Sequence, residues 1–180
     1  MSSKVKWLLA AVLGVFSATA NAEVGAYAGV LVGTPSVAYG SSSMAYKVFG
    51  GYKIREFPVK NAGVIDLAIQ GEYINFGNSS FGTWSYSHNG LGVAAIGSWV
   101  IPEKWADWAQ EKVAVIAKAG GARVASKHTT TFSSYTYNYT GLTYGVGAEY
   151  RFTPVLAARA SVEFYPNGYD VIGIAGVFKF

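Results

Sequence analysis

The sequence lacks cysteine and has little charge. None of its 180 residues is Cys, and Asp, Glu, Lys and Arg together make up 13% of the chain. The absence of Cys excludes disulfides, thiol redox chemistry and thiolate metal sites. A soluble domain carries roughly 25% charged residues, whereas this chain is 51% hydrophobic. Such a deficit of charge is expected when much of the protein surface contacts lipid rather than water.

Long hydrophobic runs are missing as well. No segment is apolar over the roughly 18 residues that a membrane-spanning helix needs. The apolar run 7–16 follows Lys4 and Lys6 and precedes a small-residue site that ends at Ala22, which is the arrangement of a secretory signal peptide. An uncleaved helical anchor is the alternative, although the run is short for a hydrocarbon core of roughly 30 Å. We predict cleavage after Ala22, which divides the chain into a signal peptide, 1–22, and one domain, 23–180.

Alternation of polar and apolar residues indicates β-strands. Eight stretches show this period, and each is near the roughly 9–11 residues of a tilted transmembrane strand. They cover 24–33, 44–54, 63–76, 89–101, 112–126, 139–152, 155–165 and 171–180. An even strand number is the rule in bacterial single-chain barrels. The sequence therefore predicts an all-β fold, a transmembrane eight-stranded antiparallel up-and-down β-barrel of the outer-membrane type.

The lengths of the connections orient this barrel. Short connections are expected on the periplasmic side and longer loops outside. The predicted turns are 55–62, 102–111 and 153–154, and the predicted outer loops are 34–43, 77–88, 127–138 and 166–170. In the second turn, Pro102 favours a short interfacial helix with Trp105 and Trp108 at headgroup level, and an irregular loop is the alternative.

Charged side chains fall on the strand faces that point inward. The opposite faces are apolar, as charge facing the bilayer midplane is costly. The interior of an eight-stranded barrel is just wide enough to be filled by side chains, and buried charges persist only when they are paired. We therefore expect an ion-pair network that plugs the interior, formed by Glu72, Lys118, Glu149, Arg159 and Glu163. A gate or proton-sensitive channel is the alternative interpretation.

The segment 147–159 resembles the outer membrane protein A transmembrane-domain family. The resemblance lies in Glu149 with Tyr150, a Thr-Pro turn and an inward Arg159 ten residues after the Glu, and in Lys118 before a Gly-Gly pair. More loosely, the chain is similar to the small barrels outer membrane protein X and neisserial surface protein A. The family resemblance implies that Glu149, Arg159 and Lys118 belong to an interior salt-bridge network. The chain departs from the family in 92–98, where an inward Lys is missing.

The stretch 171–180 alternates to its end at Phe180. A terminal aromatic on such a strand resembles the signal by which barrels are recognised during assembly. We therefore expect Phe178 and Phe180 to be this signal, with the barrel-assembly machinery and periplasmic chaperones as partners during biogenesis. The expected location is the outer membrane of a Gram-negative bacterium.

Catalytic and metal chemistry have little support in the sequence. The only histidines are His88 and His128. Lipid A deacylases have a His two residues before a Ser on one strand face. The residues two positions after His88 and His128 are Gly90 and Thr130, so neither histidine fits this pattern. No residues have metal-ligand spacing, and no glycine loop suits a phosphate. We predict a protein that is not an enzyme and has no cofactor, with a lipid A-modifying enzyme as an alternative.

Two outer segments suggest contacts with other molecules. Residues 77–87 and 129–139 are uncharged and rich in Tyr, Trp, Ser and Thr, a composition typical of binding surfaces. The candidate binding residues are Trp84, Tyr86, Phe132, Tyr135 and Tyr137, and the residues predicted to contact lipopolysaccharide phosphates are Lys47, Arg123 and Lys127. Unspecialised solvated loops with an aromatic girdle are the alternative, and 127–140 could instead form a protruding ribbon.

The predicted function is that of a monomeric structural or surface-interaction protein in contact with outer-membrane lipid, lipopolysaccharide and an extracellular ligand. A narrow pore for small solutes is the alternative function. Nucleic acid is not an expected partner, because removing Lys4 and Lys6 with the predicted signal peptide lowers the formal net charge from +4 to +2.

Overall fold

A computed structural model describes residues 25–36, 44–60, 62–81, 83–105, 109 and 112–180. The predicted signal peptide, most of the first outer loop and Trp108 lie outside these residues. No helix in the described part of the chain is both long and apolar enough to cross a membrane.

Eight antiparallel strands form a closed barrel, which confirms the predicted fold class. The strands are β1 Ala26–Ser36, β2 Ala45–Val59, β3 Gly63–Phe81, β4 Trp84–Val100, β5 Val113–Thr129, β6 Ser134–Arg151, β7 Leu156–Tyr165 and β8 Tyr169–Lys179. Each strand pairs with the next, and β1 also pairs with β8, from Tyr27 opposite Lys179 to Ser36 opposite Asp170. Closure satisfies the backbone hydrogen bonds that an open sheet edge would leave exposed to lipid.

Burial alternates along the strands, as the sequence predicts. On β7, the side chains of Ala157, Arg159 and Ser161 are buried in the interior, whereas Leu156 and Ala160 are exposed on the outer wall. The outer wall carries a band of exposed apolar side chains, including Val30, Ile69, Leu91, Val93, Leu142, Val146, Ile172 and Ile174. Such a band is the surface that a barrel presents to lipid.

The two ends of the barrel differ in their connections. We call the end with the β2–β3, β4–β5 and β6–β7 connections the turn end, and the opposite end the hairpin end. At the turn end, β2 continues to Val59 through a bulge between Lys53 and Arg55, so the first turn is shorter than 55–62. The helix expected after Pro102 is one 3-10 turn, Glu103–Trp105, whose Trp105 ring lies 5.6 Å from that of Trp99.

The hairpin end is more regular than predicted. Most of the predicted loops 77–88 and 127–138 are strand: β3 pairs with β4 as far as Phe81 opposite Trp84, and β5 pairs with β6 as far as Thr129 opposite Ser134. The tight turn 130–133 closes the second hairpin through the hydroxyl of Thr130, which accepts a hydrogen bond from the Ser133 N–H at 3.0 Å. The outer half of the β3–β6 sheet is therefore an ordered ribbon rather than a set of loops.

Inward glycines give room to large side chains. A Cβ on Gly51 would overlap the ring of Tyr27, and a Cβ on Gly29 would overlap the ring of Phe49. Both rings lie inside the barrel, with their centroids 6.4 Å apart. Glycine at these two positions is thus a packing requirement of the filled interior.

Candidate functional site

The charged interior is arranged in layers from the turn end to the hairpin end. The central layer, which we call the central cluster, consists of Lys47, Glu72, Lys118, Glu163 and Tyr165. These side chains come from β2, β3, β5 and β7, so the cluster reaches across the barrel. Two ammonium groups face two carboxylates, and all five residues are buried.

Each lysine of the central cluster contacts both carboxylates. Lys118 Nζ lies 2.5 Å from Glu72 Oε1 and 2.6 Å from Glu163 Oε2. Lys47 Nζ pairs with Glu163 and lies 3.5 Å from Glu72 Oε2. The Tyr165 hydroxyl is within hydrogen-bond distance of both carboxylates, at 3.0 and 2.8 Å. The cluster is neutral as a whole and densely hydrogen-bonded, which is the condition for keeping four charges out of water.

A second layer, the turn-end cluster, consists of Asp66, Glu149, Arg151, Arg159 and Lys179. Arg159 donates to Glu149 Oε2 from Nη2 at 2.8 Å and from Nε at 3.2 Å. Lys179 Nζ lies 2.5 Å from Glu149 Oε1. Arg151 is held less closely, with contacts of 3.5 Å to Glu149 and 3.4 Å to Asp66. Glu149 is therefore shared among three cationic side chains.

Gln70 connects the two clusters. Its Nε2 donates to Glu72 Oε2 at 3.0 Å, and its Oε1 accepts from the Tyr27 hydroxyl at 3.2 Å and from Arg159 Nη1 at 3.4 Å. The Arg159 guanidinium also lies 5.4 Å from the centre of the Phe49 ring. Arg159 is thus fixed on several sides, and the charged layers form one connected network.

An apolar layer covers the central cluster on its hairpin side. Leu31, Ile74, Phe76 and Val124 are each at most 1% exposed although they point into the barrel. The ring of Phe76 packs against Tyr165 and Tyr169, with centroid distances of 5.2 and 5.0 Å. These side chains are therefore almost inaccessible to solvent.

The five residues predicted for the interior network all lie in these two clusters. They are divided between the two clusters, since Lys118 belongs to the central cluster and Arg159 to the turn-end cluster. The sequence reasoning missed Asp66, Tyr165, Arg151 and Lys179 as network members. Their alternation with outward apolar residues was the available signal.

The predicted position of Lys47 at the outer rim is wrong. Its side chain is 2% exposed and lies in the central cluster. The neighbours Tyr46 and Val48 face the outer wall, so period two turns Lys47 inward. Arg123 and Lys127 do lie on the outer face of β5, where both are exposed.

The predicted binding aromatics lie along the ribbon at the hairpin end. Phe132 is 97% exposed at the tip of the β5–β6 hairpin, and Trp84 is exposed at the tip of β3–β4. Tyr135 and Tyr137 are exposed on the ribbon face that continues the barrel interior. Tyr86 is half-buried on the same face, and its ring lies 4.8 Å from that of His128.

The two histidines take part in this interior face. His88 is buried, and its Nδ1 lies 3.0 Å from the Tyr169 hydroxyl. His128 Nε2 lies 2.9 Å from Ser126 Oγ, but Ser126 is buried at 1% exposure. Within the described residues, no group of three His, Cys, Asp or Glu side chains could hold a metal ion.

The family of the chain follows from this architecture and from its sequence. The family model described as the outer membrane protein beta-barrel domain matches residues 8–171, so the chain belongs to that family. Its location is therefore the outer membrane of a Gram-negative bacterium. A comparison with curated proteins gives no significant sequence match.

Several solved barrels share the fold. Ail, the attachment invasion locus protein of Yersinia pestis, has 15% identity and a TM-score of 0.59 over 87% of this chain and 96% of that chain. Neisserial surface protein A has 14% identity and a TM-score of 0.59 over 87% and 97% of the two chains. The N-terminal barrel of Pseudomonas aeruginosa OprF has 17% identity and a TM-score of 0.56 over 88% and 100%. The group that the sequence resembles is confirmed, and the similarity at these identities concerns the fold.

Proposed function

We propose that this protein is a membrane-anchored surface-interaction barrel. In this proposal the two charged clusters and the apolar layer plug the interior, and the ribbon at the hairpin end makes the contacts. The observation that carries the proposal is the continuation of β3–β6 as paired strands beyond the last interior layer. Ordered strands there hold side chains in fixed positions, which lowers the entropic cost of binding.

The two faces of the ribbon differ in chemistry. The outer face is lined by hydroxyl and amide side chains with two cationic ones and no carboxylate: Asn78, Ser80, Ser85, Ser87, Asn89, Arg123, Lys127, Thr129, Thr136, Asn138 and Thr140. This face stands directly beyond Leu91 and Leu142 of the lipid-facing band. Phosphorylated sugars of lipopolysaccharide match it, since ammonium and guanidinium groups bind phosphate and hydroxyls bind sugar.

The inner face of the ribbon is aromatic and suits a partner outside the cell. Tyr135 and Tyr137 are exposed there, and Phe132 and Trp84 stand at the two tips. Rigid aromatic side chains provide contact area at small entropic cost. Among the similar structures, Ail was also crystallised with the heparin analogue sucrose octasulfate, so a polyanionic sugar is a reasonable first probe.

The lipopolysaccharide contact is tested by charge reversal. We expect the double variant Arg123→Glu/Lys127→Glu to retain several-fold less lipopolysaccharide per barrel after purification from outer membranes. Lys112→Glu, an exposed lysine at the turn end, is the matched control and should retain the wild-type amount. Equal retention by the double variant and wild type would contradict this contact.

The aromatic face is tested separately. Cells that display Tyr135→Ser/Tyr137→Ser should bind less well to immobilised heparin than cells that display the wild type, with equal surface amounts of barrel. Thr136→Ser/Asn138→Ser, on the opposite face of the same strand, is the control. Loss of binding in the control alone would assign the contact to the other face.

The proposal gives the protein no catalytic role. Ser126 is a buried partner of His128, so Ser126→Ala should leave the lipid A profile of membranes unchanged.

We also propose that Phe178 and Phe180, whose rings lie 5.0 Å apart, are recognised by the assembly machinery after delivery by periplasmic chaperones.

A further inference from the structure

His128 lies among tyrosine rings on the inner face of the ribbon. Tyr86 of β4 and Tyr135 of β6 lie directly opposite it on the two neighbouring strands. The centre of its ring is 4.8 Å from that of Tyr86 and 5.2 Å from that of Tyr137. The His128 side chain is only partly buried, and Tyr135 and Tyr137 beside it are exposed. An imidazole therefore belongs to the aromatic surface that we propose as the contact with an outside partner.

One nitrogen of this imidazole is held by the barrel and the other is open to a ligand. His128 Nε2 lies 2.9 Å from the hydroxyl oxygen of Ser126, which is buried. Because a hydroxyl can either donate or accept, this contact is possible in both the neutral and the protonated form of His128. Within the described residues, Nδ1 of His128 has no hydrogen-bond partner. Protonation therefore makes Nδ1–H a charged donor that can bind an anion.

The inner face of the ribbon has no other charged side chain in the described part of the chain. Asp170 of β8 alternates with the buried residues Tyr169 and Val171, so it lies on the outer wall. Lys127 lies on the outer face of the ribbon. The titratable side chains around His128 on the inner face, and across from it on β8, are Tyr86, His88, Tyr135, Tyr137, Tyr139 and Tyr169. The face is therefore neutral when its histidines are neutral, and it becomes positive when His128 gains a proton.

His88 is less suited than His128 to bind an outside anion. It is 7% exposed, and its Nδ1 is occupied by the Tyr169 hydroxyl at 3.0 Å. His88 belongs to the ribbon, beyond the lipid-facing band, and burial lowers the pKa of its imidazole, with the nearby His128 lowering it further. His88 is therefore expected to stay neutral in mild acid, and His128 is the histidine that an anion can reach from outside.

We propose that protonated His128 binds a sulfate group of a polyanionic sugar, so that sugar binding by the aromatic face becomes stronger in mild acid. This inference rests on the proposed function of that face and adds the residue and the condition. Histidine is the side chain whose charge changes between about pH 5 and 8. Because an anion favours the protonated form, affinity rises as the pH falls. A sulfate keeps its charge in this range, whereas a phosphate monoester loses part of its charge near about pH 6.

The test uses the barrel purified from outer membranes and placed in phosphatidylcholine nanodiscs. Binding to immobilised heparin, a sulfated sugar, is measured at about pH 7.5 and at about pH 5.5, on either side of the usual histidine range, at constant ionic strength. The Kd of the wild type should fall about tenfold at the lower pH, the gain of one charge-assisted contact. Uncharged dextran in the same assay should show no such gain.

Two variants of His128 separate its charge from its place in the fold. His128→Gln can still hydrogen-bond to Ser126 but cannot be protonated, so it should bind heparin no better in acid than at neutral pH. His128→Lys carries its charge at both pH values and should bind at neutral pH at least as tightly as the wild type does in acid. His88→Gln is the matched control and should keep the acid gain. The difference in electrophoretic mobility between the heated and the unheated barrel checks that each variant is folded.

The outcomes distinguish this inference from the function on which it rests. Equal wild-type Kd values at the two pH values, or an acid gain that persists in His128→Gln, would overturn the role of His128 and leave the proposed surface function in place. No heparin binding at either pH would contradict the sugar contact of the aromatic face itself, and the role of His128 with it.

Discussion

Glu72 is one of the two carboxylates that hold the central cluster together. Lys118, Lys47, Gln70 and Tyr165 all lie within hydrogen-bond distance of it. Glu72→Gln keeps the volume but removes the charge and leaves two buried lysines with one carboxylate. We expect the free energy of unfolding to fall by about 3 kcal/mol, the usual cost of breaking a buried ion pair. Reversible urea unfolding of the barrel in lipid vesicles measures this change.

The matched control is an exposed pair in the same barrel. Glu56 lies 2.9 Å from Lys53, and the Glu56 side chain is 52% exposed. Glu56→Gln should therefore change the unfolding free energy by less than about 1 kcal/mol. A Glu72→Gln variant as stable as this control would show that the central cluster does not stabilise the barrel.

Whether a side chain lies inside or outside the barrel could be predicted from the sequence only where the prediction was based on the strand face that carries it. Glu149 and Arg159 were placed inside because they alternate with outward apolar residues, and they face each other at 2.8 Å. Lys47 was misplaced because its distance from the strand end was weighed above its face. The division into two clusters joined by Gln70 depends on side-chain reach across the barrel, which no local pattern encodes.

Gly120 and Gly121 are adjacent on β5, and they lie on opposite faces of the strand, Gly120 on the inner face and Gly121 on the outer face. A Cβ on Gly120 would overlap the backbone of Val93 and Ala94, whereas a Cβ on Gly121 would meet only the Gly141 carbonyl at 3.9 Å. Gly120→Ala should lower the unfolding free energy by about 1–3 kcal/mol, the cost of overpacking. Gly121→Ala should leave it unchanged or raise it by up to about 1 kcal/mol. The same urea titration compares the two variants, and equal effects would contradict the assigned faces.

Strand number and order were predictable because period two is a strong local signal. Strand ends were not, since uncharged Ser, Thr and Tyr residues fit a loop and a ribbon equally well. The hydroxyl and aromatic alternation of 127–140 leaves a ribbon as an alternative to the loop. What decides between them is the cross-strand pairing of Lys127 with Ser87 on one side and Thr136 on the other, which depends on neighbouring strands.

At the scale of the whole molecule, the barrel is filled in layers. From the turn end to the hairpin end, the turn-end cluster is followed by the central cluster, the apolar layer of Leu31, Ile74, Phe76 and Val124, and then the aromatic ribbon face. The proposed plug, the membrane anchor and the proposed binding surface therefore occupy different levels of one closed sheet. The family is shared by proteins of different function, so function has to be assigned from these levels rather than from the fold.

Single-channel conductance of the refolded barrel in a planar bilayer tests the plugged interior most directly. We expect no conductance steps at high protein density, because the proposed function has the central cluster and the apolar layer close the interior to water. Folding in the same sample is checked by the difference in electrophoretic mobility between the heated and the unheated barrel. Reproducible steps that change with Arg159→Ala would contradict the account and make the interior network part of a pore.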